Sequence, residues 1–279
     1  MDLHVSIKPE SLFEFDIPGL GTFYFTNSFL TMILVMAVLI IVGAFVARRA
    51  TMVPTHGQSI IEMTVEFILG LVQSAAGERV GRRIFPLIGS LFIFIIVSNY
   101  AGLLPGIGTV GHYEEAEEDH ARIAAVAAFQ EQEADEDHGE VLIPWFRSPS
   151  ADLNMTLAMA AFVIVIVQVA GVMAHGFGGR IKHMADPWWL FPLELIGEVS
   201  RVVSLAFRLF GNIFAGEVLV AVMVAFGAAT YLVLSPFTTV FLYLEVLFGF
   251  VQALVFSLLS LIYLALATAG GHADEAHGH

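Results

Sequence analysis

From Phe29 to Thr268 the chain is a succession of apolar stretches, several of about 18 residues or more. Hydrocarbon offers no water to backbone N–H and C=O groups, so such stretches cross it as helices that close their own hydrogen bonds. The chain is 57% hydrophobic and 14% charged over 279 residues, which leaves room for about four to six spans. It reads as an all-α polytopic membrane protein with about five transmembrane helices and one interfacial helix. The absence of cysteine excludes disulfides, thiolate metal sites and cysteine nucleophiles. No basic start followed directly by an apolar core opens the chain, so a cleavable signal peptide is not expected.

Charge distribution orders the spans. Residues 1–28 form a turn-rich outer-side arm with Pro9, Pro18, Gly19 and Gly21. The first span runs from Phe29 to Ala47 and stops at Arg48 and Arg49. Residues 57–77 carry Glu62, Glu66 and Gln73 as a polar stripe on an apolar helix. A crossing there would put Arg48 and Arg49 opposite Arg79, Arg82 and Arg83, against the positive-inside rule, so an interfacial helix on the cytoplasmic side is expected. The second span, about Pro86 to Leu104, completes a unit over 29–106. The outer loop 107–150 holds an acidic insert. Its residues 112–140 carry eleven Asp or Glu against Arg122, most of the net charge of −14. It reads as a solvated loop, with a short helix over Ala121–Gln132 and cation focusing near the outer mouth as the functional alternative. The third span, about Leu153 to His175, and the basic turn at Arg180, Lys182 and His183 make up 151–186. A tilted hairpin over 187–269 follows, then a His-rich inner-side tail, 270–279, which reads as disordered rather than as a metal site. Seven of the twelve Lys and Arg fall on the inferred inner face. The N-terminus is therefore expected outside and the C-terminus in the cytoplasm.

The last two helical stretches are long. Pro187 to Thr230 and Pro236 to Thr268 are roughly 44 and 33 residues, hence about 65 and 50 Å at 1.5 Å per residue, against about 30 Å of hydrocarbon. Even a tilt of about 40° does not absorb that excess, so a strongly tilted antiparallel hairpin or a kink near the glycines is expected. Trp188 and Trp189 stand at its start as interfacial anchors.

Within the first of these helices sits Arg208, in V-S-L-A-F-R-L-F-G-N-I-F-A-G-E, with no other charge before Glu217. A guanidinium at bilayer depth costs from about 2.5 to well over 10 kcal/mol, and arginine cannot escape by losing its proton. It must face an acidic partner or a watery path. At 100° per residue Glu194, Arg201, Arg208 and Asn212 fall within about 40° of one another, with Glu198 on the edge of the stripe. Glu217, nine residues beyond Arg208, points to the other face. On the second helix Glu245, Gln252 and Tyr263 share a face. Glu217 and Glu245 both lie near the outer end of the hairpin, where they can meet in a polar pocket. Structural alternatives stand beside these: an internal ion pair for Arg208, a hydrogen-bonded Glu217–Glu245 pair, and simple i,i+3 pairing of Glu198 with Arg201. Glu62 and Glu66 read as a solvated face.

These residues resemble subunit a of the F-type ATP synthase, the stator channel of a membrane motor. The resemblance is carried by R-L-F-G-N-I-F-A-G-E from Arg208 to Glu217, by S-A-D-L-N-M-T-L from Ser150, by T-N-S from Thr26, and by the Gln252 to Tyr263 region. It covers nearly the whole chain apart from the acidic insert and the tail. It implies that Arg208 faces a rotating ring of c subunits, each with a proton-binding carboxylate. It implies further that Glu217, Asn212 and Gln252 are polar positions around the half-channels and that Glu194 matches a carboxylate on the inner side; the inner half-channel is expected near Glu194 and Glu198. Some members have His at the position of Glu245. Implied partners are the c-subunit ring, a peripheral stalk of subunit b, the other synthase subunits and membrane lipid. The implied role is a non-catalytic proton-channel subunit in a cell (inner) membrane. No cofactor, metal or nucleic acid is expected.

The competing function is a stand-alone secondary transporter or ion channel. Such folds often show internal repeats with paired broken helices, whereas here both charged helices lie in the C-terminal half. A voltage sensor needs several arginines at three-residue spacing, and this stretch has Arg201 and Arg208 only. G-x-S-x-G and H-E-x-x-H are both absent, which removes the simplest intramembrane hydrolases.

Overall fold

In a computed structural model the chain is described at residues 9–17, 21–49, 56–104, 107, 110–115, 140–184, 189, 191–229 and 235–268. Most of the acidic insert, including 121–132, and the tail 270–279 lie outside these residues.

Alternating aromatic and polar residues shape the first element. Strands β1 (Ser11–Ile17) and β2 (Gly21–Thr26) pair antiparallel, with Phe13 opposite Phe25, Glu14 opposite Tyr24 and Asp16 opposite Thr22. The Thr22 hydroxyl donates to Asp16 Oδ1 at 2.8 Å. Phe13 and Phe25 approach at 6.3 Å, and Phe29 takes the edges of Phe23 and Phe25 at 6.0 and 5.2 Å. The expected solvated arm is thus a short ribbon, because its period-two pattern lets one face gather phenyl rings.

Helix α1 (Asn27–Arg49) starts where the Thr26 hydroxyl accepts the Phe29 N–H at 3.3 Å, an N-cap of the usual residue type. Arg48 and Arg49 close it, favourable at the negative end of the helix dipole. Its buried residues are Asn27, Ser28, Thr31 and Val35, all in the first half. Ile33, Leu34, Met36, Val38, Ile40, Ile41, Val42 and Phe45 are exposed.

Helices α2 (His56–Ala76) and α3 (Glu78–Ala101) join through Gly77, whose φ of 78° is a conformation that suits glycine. They lie so close that a Cβ on Gly81 would stand 3.0 Å from Gln73 Cα. On α2, Ile60, Met63 and Phe67 are exposed, and so are Glu62 and Glu66. Ile68 and Val72 turn inward.

Past α3, strands β3 (Gly111–Glu115) and β4 (Glu140–Pro144) pair antiparallel at the root of the acidic insert. A 3-10 turn (Pro149–Ala151) then leads into α4 (Leu153–Met184), whose first turn is capped by Asp152 Oδ1 accepting the Asn154 N–H at 2.9 Å. α4 breaks at Gly176, φ 72°, just past the expected end of the third span.

The last two helices, α5 (Phe191–Ala229) and α6 (Ser235–Thr268), run 39 and 34 residues. Contacts run Arg201 with Tyr263, Asn212 with the Phe248 carbonyl and Gly216 with Glu245, so one number rises as the other falls and the helices are antiparallel. The core lies between α3, α4, α5 and α6, where Phe92, Val163, Leu205, Leu209, Phe256 and Leu261 are almost fully buried. Among the described residues six helices are long and apolar enough to cross a membrane. α2 is the least apolar of them, with a mean hydropathy of 1.4.

Candidate functional site

Arg208 is exposed on α5, beside exposed Ser204, Phe207, Gly211 and Ala215, while Leu205, Ala206 and Leu209 face the core. Among the described residues no acid pairs with it. The helical period that buries the leucines therefore turns the guanidinium away from this chain's own bundle. The reading of Arg208 as an internal ion pair is not what the structure shows.

Two polar clusters flank Arg208 along α5. Toward the start of the helix, Glu198 is buried and accepts from Arg201 Nη1 at 2.7 Å, with Glu194 3.9 Å from the same guanidinium. The Arg201 guanidinium carbon lies 5.3 Å from the centre of the Tyr263 ring, a cation–π contact that ties this cluster to α6. The i,i+3 pairing expected for Glu198 and Arg201 is present.

The second cluster surrounds Glu217 and Glu245, which come together as expected. Glu245, 7% exposed, presses its Oε1 against Gly216 of α5. A Cβ on Gly216 would stand 2.6 Å from that oxygen and 2.8 Å from the Glu245 carboxyl carbon. Glu217 Oε2 lies 3.5 Å from both Nε and Nη2 of Arg147, an ion-pair distance rather than a tight hydrogen bond. Side-chain exposure is 11% for Arg147 and 26% for Glu217.

Three polar side chains address one turn of α6. Asn212 Nδ2 donates to the Phe248 carbonyl at 3.3 Å, Asn99 Nδ2 to that of Gly249 at 3.1 Å, and Tyr100 Oη to that of Val246 at 3.2 Å. Gln252, one turn further on, is 7% exposed. Asn99 Oδ1, Glu245 Oε2 and Gln252 Nε2 are buried without a hydrogen-bond partner among the described residues. Buried polar atoms are costly in that state. Glu198 and Glu217 stand about 15 and 14 Å from Arg208 along the axis, on opposite sides.

Arg147, Asn99 and Tyr100 were not singled out from sequence. Arg147 carried one signal: it is a basic residue on the inferred outer side, where few occur, directly before S-P-S-A-D. Beside it, burial holds the Asp152 carboxyl above the ordinary range, opposed by backbone hydrogen bonds from Asn154 and Met155 and by the Arg147 charge.

Gly216→Ala is expected to push the Glu245 carboxyl aside, costing about 1–3 kcal/mol through overpacking. Thermal unfolding of the purified protein checks this. Parental stability would mean that Glu245 moves freely.

A family model described as ATP synthase A chain matches residues 29–265. The chain is similar to ATP synthase subunit a of Syntrophobacter fumaroxidans, 36% identical over 85% of this chain and 82% of the relative. Its similarity to ATP synthase subunit a of Moorella thermoacetica is 31% over 98% and 99% of the two chains. For that of Desulfosudis oleivorans it is 35% over 85% and 86%.

Proposed function

The chain belongs to the ATP synthase subunit a family, and from that premise we propose that it forms two offset aqueous half-channels against a rotating c-subunit ring. Protons enter from the outer side past Glu245 and Glu217 and neutralise a ring carboxylate, which can then face lipid. After most of a turn that carboxylate reaches the inner half-channel at Glu194 and Glu198 and gives up its proton. Arg208 attracts the ionised carboxylate and favours its deprotonated form. Its fixed positive charge also blocks a direct leak between the two paths. A membrane potential supplies about 2.3 kcal/mol per proton per 100 mV to bias rotation. Subunit b and the remaining synthase subunits complete the assembly, with the N-terminus outside and the C-terminus cytoplasmic. In this topology α2 lies in the inner interface and five helices cross.

One observation carries the reading: an exposed, permanently charged Arg208 stands between two polar clusters that share no ion pair with it among the described residues. The small residues beside it support a helical partner. Gly211 has nothing of this chain within 4 Å of where a Cβ would stand, so another helix can come close.

The chain has no cysteine, so disulfide trapping starts without background. Ser204→Cys and Gly211→Cys are expected to cross-link to a cysteine on the outer surface of the c ring, whereas Ala206→Cys, buried in the bundle, is not. Equal yields at all three positions, or none at any, would refute the proposed ring contact.

A further inference from the structure

Residues 144–148, between β4 and the 3-10 turn, are fastened from several sides. The Pro144 carbonyl accepts Asn27 Nδ2 at 3.1 Å, and the Arg147 N–H donates to Thr31 Oγ1 at 3.2 Å, both on α1. The Trp145 N–H donates to the Val110 carbonyl at 3.0 Å. Ser148 Oγ donates to the Ser98 carbonyl of α3 at 3.3 Å. Ser148 also lies so near Gly102 that a Cβ there would meet its own Cβ at 2.7 Å. A segment held this firmly can aim a side chain. What it aims is the guanidinium of Arg147, toward the Glu217 carboxyl of α5.

Glu217 has a second neighbour, Glu245, whose carboxyl lies against Gly216, the residue just before Glu217, so two like charges there repel. Among the described residues Glu217 has a cation beside it, while Glu245 pairs with none and its Oε2 has no hydrogen-bond partner. Two carboxyls in one poorly solvated place do not both hold a full charge at low cost; the one with a counter-ion keeps it.

We propose that Arg147 is a positioning residue that fixes Glu217 as the charged member of the pair and leaves the mobile proton to Glu245. The assignment rests on the half-channel reading above and divides its outer path into two roles. A proton from the outer water binds Glu245 and passes on to a ring carboxylate, which regenerates the Glu245 carboxylate. Arg147 and Glu217 keep their charges throughout. The other titratable groups around the pair are Tyr100 at the end of α3 and Asp152, which also senses Arg147. His112 stands one step further out, accepting from Trp145 Nε1 at 3.1 Å.

The test uses the complete synthase in membrane vesicles. After the soluble sector is stripped, passive proton conductance is measured over a series of pH values on the outer side. Arg147→Gln is expected to move the midpoint of that dependence upward by about one pH unit. Near neutrality conductance should fall about tenfold, the factor one unit represents. Arg147→Lys, which keeps the charge, should leave the midpoint close to that of the parent. In a Glu217→Gln background the further loss from Arg147→Gln should be less than about twofold, because the charge it serves is gone. If Arg147→Gln fails to assemble, Gly102→Ala replaces it, pushing Ser148 without altering any charge, and the same upward move is expected. An unshifted midpoint, or losses that simply multiply in the double variant, would make Arg147 a structural strap and overturn the proposal. Parental pumping by Arg208→Ala would instead sink the half-channel reading itself, so the two failures are distinguishable.

Discussion

Arg208→Ala is expected to abolish ATP-driven proton pumping in vesicles containing equal amounts of assembled complex, and to raise passive proton leak once the soluble sector is removed. In the proposed half-channel reading, the first effect follows from loss of the charge that would attract an ionised ring carboxylate. Removing one partner of an ion pair sheltered from water costs about 3–5 kcal/mol, at least about a hundredfold in occupancy. The second follows from loss of a fixed positive charge between two polar clusters. Because Arg208 is exposed on α5 and has no acid partner among the described residues, the substitution should leave the bundle's own stability nearly unchanged. Arg208→Lys should also fail, since a compact ammonium that can release its proton is a poor seal. Undiminished pumping by the alanine variant would make the arginine dispensable.

Glu245→Leu is the second large effect, and its signature is a split between stability and transport. The carboxyl is 7% exposed and one oxygen lacks a protein partner. Replacing such a group with an apolar one of similar volume is often neutral or stabilising. Transport should instead drop by about a hundredfold or more, the scale on which a positioned proton-transfer group acts. Melting of the purified complex and pumping rates measured side by side separate the two. A variant that pumps normally would remove Glu245 from the proton path; one that falls apart would make it a structural residue. Glu245→His keeps a proton-binding side chain and should retain much of the flux.

Helical content, the long final hairpin and the Glu198–Arg201 pair were legible in the sequence because all three are local. An apolar run, a 3.6-residue period and an i,i+3 spacing each act within a few turns. The exposure of Arg208 was half legible: the helical wheel put it on a polar stripe, but which face meets the bundle depends on where Leu205 and Leu209 pack. The Glu217–Glu245 encounter followed from antiparallel geometry alone. The Arg147–Glu217 pair did not, since 70 residues, with the whole of α4 among them, separate the two. Nor did the turn of α6 that Asn99, Tyr100 and Asn212 address. A carbonyl acceptor has no residue identity, so its partner leaves no mark on the sequence around it. The N-terminal ribbon was readable in principle. L-F-E-F-D and T-F-Y-F-T alternate with period two, but the prolines and glycines around them favoured an irregular arm.

The way α1 is held has a consequence for the order in which the protein is made. The hydrogen bonds that fasten its first turns run from Asn27 to Pro144 and from Arg147 to Thr31, spanning 117 and 116 residues. At about 5–20 residues per second a ribosome needs roughly 6–23 s to bridge such a gap. During that interval α1 lacks both of these bonds and, among the described residues, has only the N-terminal ribbon and, once it is made, α3 to rest against. It must survive in lipid on its own apolarity, which its long exposed flank provides. The last bonds that fix the first helix are thus a late step of biogenesis, timed by translation of the segment that carries Arg147.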